Sequence, residues 1–313
     1  MKVYYQLTDF KPLKNAVVTS GTFDGVHLGH QRILQRLKEV AENTGGESVV
    51  ITFWPHPRMV VSMDSQDLKL LTTIEEKIEL MQQAGVQHLL VLPFTREFSE
   101  LSSEKYVQEI LIESIGTKTL VIGYDHRFGK NREGGFDYLK LNENRFKIMI
   151  EEISRQEIDD LTISSTKIRK ALVGGKVDLA QELLGRAYSF AGIVAKGRQL
   201  GRQIGFPTAN VQVREPYKLV PSNGVYAVNV DIRGEQKKGI MNIGNRPTVD
   251  GIGRTQEVNI FDFAEDIYGE KITVKLCKFI RAEQKFADII ALKNQIAEDV
   301  HQVKSWFDET QKS

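Results

Sequence analysis

Ala16-Val17-Val18-Thr19-Ser20-Gly21-Thr22-Phe23-Asp24-Gly25-Val26-His27-Leu28-Gly29-His30 is the stretch on which the fold turns. An apolar strand-like run, Ala16 to Thr19, leads through a glycine-containing turn into a helical pattern from Gln31 to Val40. That order places two histidines, three residues apart, at the strand-to-helix crevice where open α/β sheets bind ligands. Helix N-termini offer unpaired N–H groups and the positive end of a dipole, so the crevice suits phosphate. Two imidazoles there can meet the negative charge that builds up during transfer at a nucleotide. An isolated His-x-Gly-His is more often structural than catalytic; the strand before it and the helix after it give this one its context.

Outward from the motif, the hydrophobic period changes part-way along the chain. Up to about Leu172, apolar runs at Ser48–Phe53, His88–Leu92, Thr119–Ile122 and Ile148–Ile150 alternate with helical patterns at Gln31–Val40, Thr73–Ala84 and Glu104–Ile115. Alternation of this kind predicts an α/β domain with a parallel sheet. Thr73 and Glu76 are spaced as a capping box for the second helix. After Gly174-Gly175 and a short helical piece, Asp178–Leu184, the period becomes two. Tyr226, Val228, Val230 and Ile232 alternate with Ala227, Asn229 and Asp231, and Ile272, Val274 and Leu276 with Thr273, Lys275 and Cys277. Short alternating strands with turn signals predict a small closed antiparallel barrel. It ends in a helix whose expected stripe is Phe286, Ile289, Ile290, Lys293, Ile296 and Val300. The boundary is placed at 186/187, with domains 1–186 and 187–313.

With 313 residues, 41% hydrophobic and 27% charged, the chain has room for two domains that each bury a core. No apolar run approaches membrane-spanning length, and the first residues lack the apolar core of a signal peptide. A single cysteine, Cys277, is read as core and fits a reducing cytoplasm. The net charge of +1 offers no broad attraction for nucleic acid, so neither nucleic acid nor membrane is an expected partner.

Three further clusters in the first half carry residues suited to chemistry. Phe53-Trp54-Pro55-His56-Pro57 and Gly123-Tyr124-Asp125-His126-Arg127-Phe128-Gly129 each end a predicted strand. Ile163-Ser164-Ser165-Thr166-Lys167-Ile168-Arg169 puts hydroxyls at a helix start and cations in its first turns. Alone, the last is an ordinary N-cap with a solvated basic face.

Together these segments resemble the nucleotidylyltransferase superfamily, and in detail the FMN adenylyltransferase domain of bacterial FAD synthetases. Gly201-Arg202-Gln203-Ile204-Gly205-Phe206-Pro207-Thr208-Ala209-Asn210, Asn223-Gly224-Val225-Tyr226, Met241-Asn242-Ile243-Gly244-Asn245-Arg246-Pro247-Thr248 and Asp266-Ile267-Tyr268-Gly269 resemble riboflavin kinase. The resemblance covers nearly the whole chain, which is identified as a member of the bifunctional bacterial FAD synthetase family. It implies a Rossmann-like nucleotidylyltransferase domain and a six-stranded flavokinase barrel with a terminal helix.

The implied activities are phosphorylation of riboflavin to FMN and adenylylation of FMN to FAD, with ATP as co-substrate and pyrophosphate released. Mg²⁺ is the implied cofactor, and self-association is expected to be weak. In the first domain the resemblance implies that His27 and His30 contact ATP phosphates and that Ser164, Ser165 and Thr166 donate hydrogen bonds to them. Arg169 would stabilise the departing pyrophosphate, with Gly21, Phe23, Asp24 and His56 as nucleotide contacts. Asp125 and Phe128 are implied at the flavin, and His126 stands where the family motif usually has an aromatic. In the second domain Glu257 matches the catalytic glutamate, Thr208 and Asn210 the Mg²⁺ ligands, and Gly197, Gly201, Gly205 and Pro207 the nucleotide flap. Arg281 and Phe286 match flavin-side contacts, and Asn259 stands where the family often has histidine. By its spacing alone, Glu257 is a solvent-facing strand residue.

Overall fold

The computed structural model describes residues 1–62, 68–123, 126–153, 163–197, 201, 204–248 and 251–310. By backbone contacts the chain divides into two compact units, Met1–Ser165 and Thr166–Ser313.

The first unit is built on six parallel strands: β1 (Lys2–Tyr4), β2 (Ala16–Ser20), β3 (Glu47–Trp54), β4 (His88–Pro93), β5 (Thr117–Gly123) and β6 (Met149–Ile153). Their order across the sheet is β1-β4-β3-β2-β5-β6. From β2 the chain first builds outward through β3 and β4, then returns to the other side of β2 with β5 and β6. The direction reverses between β2 and β5, so the crevice beyond their carboxyl ends is a topological switch point. Every residue of β2 is buried, as expected of a strand covered on both faces. Val18, Ile51, Leu90 and Ile122 pack on one face with the wide, π-helical α4 (Tyr106–Ile115). Val17, Val50, Leu89 and Val121 pack on the other with α1 (Leu28–Thr44) and α3 (Ile74–Gln83). The short α2 (Pro57–Val61) follows β3. The capping box at α3 is present: the Thr73 N–H donates to Glu76 Oε2 at 3.0 Å and the Glu76 N–H to Thr73 Oγ1 at 3.2 Å.

The second unit is a closed antiparallel barrel of β7 (Tyr188–Ala195), β8 (Ala209–Gln212), β9 (Gly224–Ile232), β10 (Glu235–Thr248), β11 (Gly251–Ile260) and β12 (Lys271–Arg281). The strands close in the order β10-β11-β8-β7-β12-β9. Tyr188, Phe190 and Val194 on β7 alternate inward with Ile272, Val274 and Leu276 on its partner β12. Two helices precede the barrel, α5 (Ser165–Val173) and α6 (Val177–Leu184), and α6 packs against β7 and β12. The contact pattern therefore groups these helices with the barrel, whereas the expected boundary at 186/187 leaves them with the first domain.

The terminal helix α7 (Ile289–Thr310) lies on the outer face of the barrel, where Val303 and Phe307 meet Val225, Ala227, Ile240 and Phe261. Its buried stripe is Asp299, Val303 and Phe307, with Ile296 and Val300 half-buried, and starts later than the expected Phe286–Val300 stripe. Ile289 and Ile290, placed in the expected stripe, are exposed. Cys277 is half-buried, and burial pushes its thiol above the ordinary range.

Candidate active sites

At the end of β2 the backbone takes an uncommon path. Phe23 and Val26 have φ of 46° and 39°, and Gly25 has φ of 85°. A β-branched residue in the left-handed region is a genuine outlier, sustained only where the surroundings over-determine it. Gly25 also has no room for a side chain, since an added Cβ would stand 3.1 Å from Leu71 Cβ and closer still to its Cδ1. The Asp24 carboxylate is 1% exposed and accepts from the Leu71 N–H at 2.9 Å and the Thr72 N–H at 3.2 Å. Ser165 Oγ donates to the Asp24 carbonyl at 2.9 Å. Asp24, expected as a nucleotide contact, thus has its carboxylate turned to the turn's own anchorage.

The turn delivers His27 to the N-cap of α1, where its Nδ1 accepts from the His30 N–H at 3.4 Å. One helical turn on, the His30 ring stacks on the His27 ring with centroids 3.6 Å apart, and Phe23 packs edge-on to His30 at 5.1 Å. Both imidazoles therefore sit at the N-terminus of a 17-residue helix, where the dipole favours anions. His56 is also buried, capping α2 by accepting from the Arg58 N–H at 3.2 Å. Ser164 is exposed beside Ser165 at the end of the first unit. Thr166 and Arg169 stand on α5, in the second unit of the division.

Beyond β5, His126 Nε2 lies 3.4 Å from Ser20 Oγ, and its ring approaches Phe128 at 5.7 Å. Burial, then Arg132 and Arg127, push the imidazole down to about 4, so it is neutral at neutral pH. Phe128 is a buried core residue packed on Tyr106 at 5.3 Å. Asp125 lies outside the described residues.

In the barrel the decisive fact is a register: Glu257 on β11 pairs with Asn210 on β8 on one side and with Asn242 on β10 on the other. Gln256, Val258 and Val211 point inward, so Glu257 and Asn210 share the outward face. Asn259, two residues on, donates from Nδ2 to the Pro207 carbonyl at 2.6 Å, fastening the segment before β8 to this face. The Phe206 N–H donates to the Gly201 carbonyl at 2.8 Å, and a Cβ at Gly201 would collide with the Phe206 carbonyl and stand 3.3 Å from Thr208 Oγ1. A Cβ at Gly197 would stand 3.0 Å from Asn210 Nδ2. Glycines thus line a cradle around Thr208 and Asn210, while Gly205 turns at φ 89°. The hydroxyl, amide and carboxylate oxygens here are hard donors of the type Mg²⁺ takes, few enough to leave places for phosphate and water. No group of three His, Cys, Asp or Glu suited to a metal occurs among the described residues.

Arg281, expected at the flavin, donates from Nε to Asp299 Oδ1 at 2.9 Å and from Nη2 to Oδ2 at 2.7 Å. Its guanidinium clamps α7 to β12 and also lies 5.8 Å from the centroid of the half-buried Phe286 ring. One residue absent from the candidates is Lys77, buried beneath the 22–26 turn. Its signal was in the helix pattern, since Lys77 falls on the apolar stripe of Ile74, Ile78 and Met81.

The FAD synthetase family model matches residues 9–167, and the riboflavin kinase model matches residues 184–307. The chain belongs to the bifunctional riboflavin kinase/FMN adenylyltransferase family. A member from Pseudomonas fluorescens is 41% identical over 92% of this chain and 91% of its own length. One from Listeria monocytogenes is 39% identical over 94% and 93%, and one from Escherichia coli K12 is 39% identical over 95% and 94%. A crystal structure described as a macrolide-efflux protein from Streptococcus pneumoniae is 31% identical, with a TM-score of 0.89, over 97% of this chain and 99% of that one. No helix among the described residues is long and apolar enough to cross a membrane. As a family member the chain uses ATP to phosphorylate riboflavin to FMN and to adenylylate FMN to FAD.

Proposed function

We propose that each of the domains 1–186 and 187–313 carries one of the two reactions: adenylyl transfer at the His27–His30 turn and phosphoryl transfer on the Glu257 face of the barrel. The observation that carries the kinase half is the pairing of Glu257 with Asn210 on one outward face beside the glycine-rich segment. Riboflavin's ribityl hydroxyl is a poor nucleophile until a base takes its proton. Glu257 accepts that proton as the new O–P bond forms and the bond from the γ-phosphorus to the bridging oxygen breaks, releasing ADP. Thr208 and Asn210 would hold Mg²⁺, which when bound offsets the negative charge of the phosphates. Gly197, Gly201, Gly205 and Pro207 form the segment that covers the nucleotide.

Adenylyl transfer needs no base. A phosphate oxygen of FMN, already an anion, attacks the α-phosphorus of ATP, and the bond to pyrophosphate breaks. The task is to align two polyanions and stabilise charge in the transition state. His27 and His30 at the helix N-terminus donate to the phosphates; Ser164, Ser165 and Thr166 add hydroxyl donors, and Arg169 meets the leaving pyrophosphate. Gly21, Phe23 and His56 shape the nucleotide site, with Asp24 holding the turn from below. FMN is received near His126 and Phe128, with Asp125 carried over from the family motif alone, and riboflavin separately on the barrel near Phe286. We place the functional boundary at 186/187 and the enzyme in the cytoplasm, where ATP is at hand and Cys277 stays reduced. Purified protein incubated with riboflavin and ATP should give FMN and then FAD on chromatography with Mg²⁺, and neither product when the metal is chelated. Product formation in excess chelator would overturn the metal assignment.

A further inference from the structure

Beneath the Thr22–Val26 turn lies a charged group that neither reaction, as assigned above, uses. Lys77 projects from the buried face of α3 and is 4% exposed. Its Nζ donates to the Thr22 carbonyl at 2.7 Å and to Thr52 Oγ1 on β3 at 3.3 Å, while Thr52 Oγ1 itself donates to the same carbonyl at 3.3 Å. Burying an ammonium is costly unless it is well bonded, so its presence on an apolar helix face calls for a reason. Burial pushes it down to about 8, and the Asp24 carboxylate acts in the opposite direction. Asp24 is the charged group acting on it; Thr22 and Thr52, its hydrogen-bond partners, are neutral.

The turn above is the left-handed stretch of Phe23, Gly25 and Val26, which sets His27 at the head of α1. Asp24 and Ser165 anchor the middle of that turn, and Lys77 anchors its entry at Thr22. We propose that Lys77 is a positioning residue for adenylyl transfer: by gripping the Thr22 carbonyl it fixes the turn that aims the His27 and His30 imidazoles at the phosphates of ATP. The inference rests on the assignment of that reaction to the two histidines. It concerns alignment, for which a misplacement of about 1 Å costs on the order of a hundredfold in rate.

The test is Lys77→Met in the full-length chain, an unbranched side chain of similar length without the charge. FAD formation from FMN and ATP should lose about 10- to 100-fold in kcat, while riboflavin phosphorylation by the same sample is unchanged. In the wild type FAD formation should fall as pH rises past about 8, where the ammonium deprotonates, and this limb should be missing from Lys77→Met. A purely structural lysine would not produce a limb that depends on it. Wild-type kcat in the variant, or the same alkaline limb in both proteins, overturns the proposal. Should Lys77→Met fail to fold, Thr52→Val removes one acceptor and should move the limb to lower pH; an unmoved limb overturns the proposal. His30→Ala in the same assay separates the two levels. Lost FAD formation there beside an unaffected Lys77→Met overturns the positioning role alone, whereas wild-type behaviour of both overturns the site assignment with it.

Discussion

The two units hold their candidate residues by different means. In the first, His27 and His30 follow an irregular turn whose conformation has to be imposed from below, by the Asp24 carboxylate on the 71–72 backbone and by Lys77 on Thr22. In the second, Glu257 stands on a strand paired on both sides, so its placement beside Asn210 and Asn242 follows from the ladder itself. A turn at a sheet's end allows the backbone to face a polyanion, but it needs buried polar groups to hold it. A strand face needs no such support; around it Gly197 approaches Asn210 and Gly201 approaches Thr208. Changes beneath the first site should therefore reach its chemistry, whereas changes beneath the second should register mainly as stability.

The largest effect is expected at the barrel. Glu257→Gln keeps the shape of the side chain and removes the proton acceptor, so riboflavin phosphorylation should fall by roughly two to four orders of magnitude. Conversion of supplied FMN to FAD should persist in the same sample. Flavin chromatography with each substrate in turn checks this; near-wild-type phosphorylation would remove Glu257 as the base. Next is His30→Ala, which takes one preorganised donor from the turn. FAD synthesis and its reversal by pyrophosphate share a transition state, so both should drop by about two to three orders of magnitude while the kinase continues. A parallel loss of both activities with a lowered melting temperature would instead mark His30 as structural.

Two smaller effects probe the barrel unit as a body. A fragment of residues 187–313 should fold and make FMN without FAD. It lacks α5 and α6; Leu183 and Leu184 of α6 are buried, and α6 packs on β7 and β12. Each buried leucine contributes about 2 kcal/mol, so a 166–313 fragment should be the more stable by about 3 to 4 kcal/mol in urea titration. Equal stability would show that the helices belong with the first unit. Arg281→Ala breaks the pair with the buried Asp299 and should cost about 2 kcal/mol, less than a fully buried pair because the arginine is partly exposed. Asp299→Asn should cost a similar amount. Loss of riboflavin binding without loss of stability in Arg281→Ala would mark Arg281 as the flavin contact implied by the family.

Much of this molecule is legible in its sequence, because periodicity is a local property. The continuous apolar runs of β2 to β5 mark strands covered on both faces, the alternation of Tyr226 to Ile232 marks a barrel wall, and Thr73 with Glu76 marks a helix start. The family motifs likewise fall on the turn at His27 and on the strand at Glu257. Three matters were settled only in three dimensions. The inward turn of Asp24 depends on backbone N–H groups at 71 and 72, and the engagement of Arg281 depends on Asp299, eighteen positions away on α7. The buried ammonium of Lys77 is stabilised by a carbonyl and a hydroxyl from two other segments. A side chain's type and period set which face of its element it occupies. Which partner meets a polar group there is fixed by packing between distant segments, and burial makes that choice costly enough to have a single answer.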